Sequence, residues 1–118
     1  MPQMNGKYLF DTIMDCVDSN IGEGEITSSR KLALYAIAKA TTYSIKDIKA
    51  YFLLTTGNTL EWYFRQRRLF HAFEQIKKYR EKSIGVIANF YGYADSASFN
   101  HAFKQAFSVS PTQARTNP

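Results

Sequence analysis

The chain has 118 residues, 45% of them apolar and 15% aromatic, which is enough for one packed domain and too apolar for a disordered segment. Its net charge of +5 is unevenly placed: residues 1–25 hold one lysine against five acids, leaving 14 basic and 5 acidic groups, a net +9, in residues 26–118. A single cysteine excludes an internal disulfide and any cysteine-based zinc site, and neither a signal-peptide pattern nor a membrane-length apolar run is present, so a cytoplasmic protein without membrane contact is expected.

In chain order, the first predicted helix covers residues 8–21, where Leu9, Phe10, Ile13, Met14, Val17 and Ile21 recur at spacings of three and four. Its acidic outer face suits a position behind the basic part of the molecule, and Cys16 reads as a structural thiol. A polar connection with two glycines is expected over residues 22–29, after which Leu32, Leu34, Ile37 and Ala38 mark a second helix. Ser44 reads as the N-cap of a third helix, through residue 55, with Asp47 completing an acidic capping box and Gly57 a left-handed C-cap. Thr59 caps the longest helix, residues 60–79, with Leu60, Tyr63, Phe64, Phe70, Phe73 and Ile76 as its expected inner positions. Ser83 then starts a helix through residue 91, Gly92 turns the chain, a further helix covers residues 95–107, and Pro111 opens a short terminal turn. No strand-like alternation of useful length occurs, so the fold class is all-α, about seven helices.

The organisation is duplicated. Ile37-Ala38-Lys39-Ala40-Thr41-Thr42-Tyr43 is echoed by Ile87-Ala88-Asn89-Phe90-Tyr91-Gly92-Tyr93, Ile48 and Phe52 by Phe99 and Phe103, and Thr59 by Ser110. Each copy reads as a helix, a tight turn and a second helix with an aromatic anchor, a helix-turn-helix. The expected division is residues 1–58 for an N-terminal helix and the first unit, 59–81 for a linker helix and 82–118 for the second unit. A helix of about 20 residues is roughly 30 Å long, close to the ~34 Å between successive major-groove faces on one side of B-DNA. Two unlike units on such a spacer would read an asymmetric site as a monomer, and the basic residues 26–118 suit a polyanion.

These residues resemble the AraC/XylS class of bacterial transcription regulators, specifically its DNA-binding domain, over residues 8–115. The second unit carries the most specific match: Ser83-Ile84, Ile87-Ala88, Gly92-Tyr93, Asp95, Phe99, Phe103-Lys104, Phe107, Pro111 and Arg115. Arg68-Leu69 with Ala72 and Ile76 is similar to the family's linker-helix motif, and the first unit matches through Ile37-Ala38, Ser44, Ile48, Phe52 and Gly57-Asn58-Thr59-Leu60 with Tyr63. The resemblance implies transcription regulation, usually activation, with double-stranded DNA and RNA polymerase as partners, no cofactor, and nucleoid association when bound. It implies base-reading positions at Lys46, Lys49 and Ala50 in the first unit and Ser96, Ala97, Asn100 and His101 in the second. The phosphate-contacting candidates are Ser44, Thr59, Arg65, Arg67, Lys104 and Ser110. Thr42 and Ser108 stand where the family favours glycine, Ala50 where a long polar side chain is common, and Ala114 where an aromatic is usual.

Other chemistry has less to stand on. His71 and His101 are isolated, no glycine-rich phosphate loop occurs and the carboxylates are unpaired, so no enzyme and no metal site are expected. Base stacking on single-stranded nucleic acid would need free rings, whereas most of the aromatics fall at core spacings. The runner-up function is a protein-interaction module acting on another regulator or on the polymerase, with degenerate DNA readout. No effector-binding segment is recognisable, so control by cellular amount is the simplest expectation.

Overall fold

A computed structural model describes residues 6–21 and 26–116, with side chains from Leu9 to Ile21 and from Lys31 to Thr116. It is all-helical over those residues: α1 (Gly6–Ser19), α2 (Ile26–Thr41), α3 (Ile45–Thr56), α4 (Leu60–Lys78), α5 (Ile84–Phe90), α6 (Ser96–Phe107) and α7 (Pro111–Thr116). The helix at the start lies two residues earlier than its periodicity suggested. The expected polar connection is also shorter, because α2 already begins at Ile26, while residues 22–25 of it and residues 1–5 lie outside the described residues.

The molecule is elongated, 50 × 24 × 21 Å, because it has two cores strung on α4. Leu9, Ile13 and Val17 of α1 meet Ala33, Leu34 and Ile37 of α2, Ile48 and Phe52 of α3, and Leu60 and Phe64 of α4 in the first. Leu69, Ala72 and Ile76 of α4 meet Ile87, Ala88, Tyr91, Phe99, Phe103 and Ala114 in the second. Within α4 the inward face therefore rotates between Phe64 and Leu69. That rotation leaves Phe70, expected as an inner position, exposed, and it buries Arg68 fully. Leu32, expected to mark the inner face of α2, is exposed as well.

Arg68 occupies the junction of the two cores, near Tyr91 and Tyr93. Burial pushes its pKa down and the two tyrosines oppose that shift, and the long side chain packs as part of the interior. The second core is built on rings in contact: Phe103 stacks on Phe73 at 5.7 Å and lies tilted to Phe107 at 4.8 Å and to Phe99 at 5.6 Å, and Tyr93 stands edge-on to Phe99 at 5.1 Å. Rings committed in this way are not available to stack on bases.

The caps fix where each helix starts. Ser44, Thr59 and Ser83 accept from the backbone N–H three residues on, at 3.1, 3.0 and 3.1 Å, and Asp95 does the same for α6 at 2.7 Å. The terminal segment, expected as a turn, is the helix α7. Pro111 at its first position needs no N–H partner, Ser110 and Gln113 exchange side-chain bonds at 2.9 and 3.1 Å, and Arg115 donates to the Ile76 and Tyr79 carbonyls at 3.1 and 3.2 Å. Arg115 thereby closes the end of α4, whose last carbonyls have no partner within the helix.

Candidate nucleic-acid interface

The turn before α3 and the turn before α6 are built alike from different residues. After α5 the chain reverses at Gly92, φ 89°, and Tyr93 N–H reaches the Ala88 carbonyl at 3.1 Å. After α2 the same left-handed step falls on Thr42, φ 61°, whose N–H donates to the Ala38 carbonyl at 2.9 Å and whose hydroxyl donates to the Thr41 carbonyl at 2.6 Å. A β-branched residue is strained at positive φ. Thr41 assists by donating to the Ile37 carbonyl at 2.7 Å and accepting from Tyr43 N–H at 3.3 Å.

From these turns α3 buries Ile48 and Phe52, and α6 buries Phe99 and Phe103. At about 100° per residue the opposite faces carry Lys46, Ala50 and Leu53 on α3, and Ala97, Asn100, His101 and Lys104 on α6. All of these are exposed, as is Ser96 at the start of α6. Leu54 is 87% exposed, so the outer face of α3 becomes apolar towards its C-terminal end.

Lys49 is held differently from Lys46. Its Nζ lies 2.8 Å from Glu61 Oε1, in the first turn of α4, with 43% and 32% of the two side chains exposed. The sequence offered no sign of this pair, whose members are twelve positions apart across the α3–α4 connection.

The phosphate candidates separate into two groups. Ser44, Thr59 and Ser110 are helix caps, and a hydroxyl that accepts from the backbone keeps its own proton to donate. Lys104 and Arg65 are exposed, Arg65 at the edge of a cleft of about 580 Å3 between α4 and α6 that Trp62, Gln66, Tyr93 and Gln105 also line. Arg67 is engaged within the protein. Its Nε and Nη2 donate to the two Asp18 oxygens at 2.9 and 3.2 Å, and His71 Nε2 lies 3.3 Å from the same carboxylate. The hydrogen bond that Arg67 donates to Asp18 raises the Arg67 pKa, and the bidentate pair ties α1 to α4. The acidic helix expected to lie behind the basic part thus also turns Asp18 inward, against α4. Burial beside Asp15 pushes the Cys16 thiol up, away from the thiolate form. Among the described residues no three His, Cys, Asp or Glu side chains gather as a metal site, and no helix is long and apolar enough to cross a membrane.

Two helix-turn-helix units with outward α3 and α6 on one spacer define a recognisable pattern, and a profile described as a helix-turn-helix domain matches residues 37–117, more than half of the chain. The chain belongs to the AraC-type helix-turn-helix family. It is 30% identical over 114 residues to the transcriptional activator RhaR of Pectobacterium carotovorum, spanning 97% of this chain but only 37% of that relative. It is 30% identical over 95 residues to the probable transcription factor PqrA of Proteus vulgaris, covering 80% of this chain and 77% of PqrA, and 28% identical over 112 residues to the regulatory protein SoxS of Salmonella typhimurium, covering 95% and 97%. The AraC-type fold is shared with a transcriptional regulator from Chromobacterium violaceum, TM-score 0.74 at 18% identity over 92% of this chain and 90% of that one. It is also shared with the C-terminal domain of AraT from Geobacillus stearothermophilus, TM-score 0.65 at 21% identity over 96% and 86%.

Proposed function

We propose that this AraC-type chain is a sequence-specific double-stranded DNA-binding regulator that activates transcription, with RNA polymerase as its partner. The observation that supports this reading is the presentation of two unlike exposed helices, α3 and α6, on either side of one 19-residue spacer helix. Lying in successive major grooves, they would read an asymmetric site as a monomer, with Ala50, Lys49, Ser96, Ala97, Asn100 and His101 towards the bases. Lys46, Ser44, Thr59, Arg65, Lys104 and Ser110 would hold the backbone. Asymmetry gives the site a direction, which suits the placement of a polymerase. The relatives named activators support the sign of regulation.

The test is a selection from a random duplex pool followed by fluorescence-anisotropy titrations at several salt concentrations. Neutralising six phosphates gives a slope of log affinity against log salt of about −5. The competing protein-interaction reading draws on the exposed Leu53 and Leu54 of α3, and a slope shallower than about −2 with no selected sequence would favour it.

A further inference from the structure

The Lys49–Glu61 pair does little for stability, since both side chains are partly solvated. Its consequence lies at the DNA surface, and it rests on the reading of α3 as a recognition helix. A lysine there is ordinarily a flexible point charge, suited to phosphate more than to a chosen base. Pairing changes that in three ways. The net charge of the pair is zero, so its pull on a phosphate is largely cancelled. The long side chain is ordered before DNA arrives, so less rotamer entropy is lost on contact. One donor of the ammonium is occupied by Glu61, and the remaining two are held in fixed directions.

Lys46, three residues earlier on the same helix, is exposed and has no ion pair among the described residues. We infer that Glu61 is a positioning residue that turns Lys49 from a phosphate anchor into a reader of base-edge acceptors such as guanine N7 and O6. Lys46 is left as the backbone contact on α3.

The experiment compares wild type, Glu61→Gln and Lys49→Ala on the duplex that the wild type selects and on a scrambled duplex of equal length, over a range of salt. Glu61→Gln frees Lys49 for the backbone, so scrambled DNA is bound about fivefold tighter and the salt slope on it steepens by about 0.9. The selected duplex loses the ordered contact, so the ratio of selected to scrambled affinity falls by more than that factor. Lys49→Ala weakens the selected duplex more than the scrambled one. A folded Glu61→Gln variant with an unchanged ratio and slope overturns the inference, and so does a Lys49→Ala loss shared equally by both duplexes, a result available even if Glu61→Gln fails to fold. In either case the proposed function stands. A wild type that selects no sequence removes both readings together.

Discussion

The two positions where this chain replaces glycine, Thr42 and Ser108, are its only described non-glycine residues at positive φ, 61° and 63°. Left-handed backbone costs a residue with a Cβ roughly 1–2 kcal/mol, against the ~0.5–1 kcal/mol that glycine loses through its freer unfolded chain. The balance favours glycine at both sites, and more at Thr42, where β-branching crowds the backbone further. Thr42→Gly is therefore expected to raise the melting temperature by about 2–4 °C, and Ser108→Gly by less. Thermal melts followed by circular dichroism decide it. A lower melting temperature for Thr42→Gly would mean that the 2.6 Å bond from its hydroxyl to the Thr41 carbonyl outweighs the strain. Both positions were visible in the sequence as departures from a pattern. The left-handed geometry that gives them meaning was not, since a threonine carries no local signal for it. Arg67 and Arg68 show the same limit from the other side. Adjacent and equally basic, they differ because one meets Asp18 and the other sits where the cores join, and only the packing of α1 against α4 distinguishes them.

At the level of the element, local chemistry was enough to place most helices. Ser44, Thr59, Ser83 and Asp95 cap where their side-chain chemistry says they should, and Gly57 closes α3 at φ 77°. Two things escaped. The helix α7 is six residues long, too short for periodicity to register, and is held by the Ser110–Gln113 exchange and by Arg115 reaching across to α4. A single periodic stripe along α4 puts Phe70 inside, whereas the two cores impose two stripes and leave it exposed. Asp95 gives the elements a testable pH dependence. The Ser98 N–H holds its ionised carboxylate, so its pKa lies below the ordinary value of 3.8. Folding therefore favours the ionised form. That contribution is complete above the unfolded-chain pKa and is lost as pH falls through the folded one. In Asp95→Asn the side-chain oxygen still caps but does not titrate. The stability difference between wild type and Asp95→Asn in urea melts should then be constant from pH 7 to 5 and shrink as pH falls below about 4. A difference that persists at pH 3 would place the cap's benefit in something other than charge.

For the whole molecule, the question is whether α4 sets the distance between two reading surfaces. Its 19 residues rise about 28 Å. The two cores divide it between Phe64 and Leu69, so Gln66 is the residue at which the spacer can be bent while Leu60 and Phe64 stay with one core and Leu69, Ala72 and Ile76 with the other. Gln66 is partly exposed and lines the cleft between α4 and α6, so its own packing is slight. Proline there removes the hydrogen bond to the Trp62 carbonyl and clashes with it, at a cost of about 3 kcal/mol of helix stability. The geometric effect is the larger one. With α4 kinked, α3 and α6 no longer meet successive grooves together, and the gain from joining two weak contacts, of order 10²-fold or more, disappears. Gln66→Pro is accordingly expected to bind the full site with no more affinity than a half-site, while Gln66→Ala, which keeps the helix straight, stays within about threefold of wild type, the ±0.5 kcal/mol typical of a surface substitution. Circular dichroism and a urea melt establish that each core is still folded before the titration is read. A folded Gln66→Pro variant that binds the full site like the wild type would mean that the two units find their grooves independently, and that α4 joins them without setting their spacing.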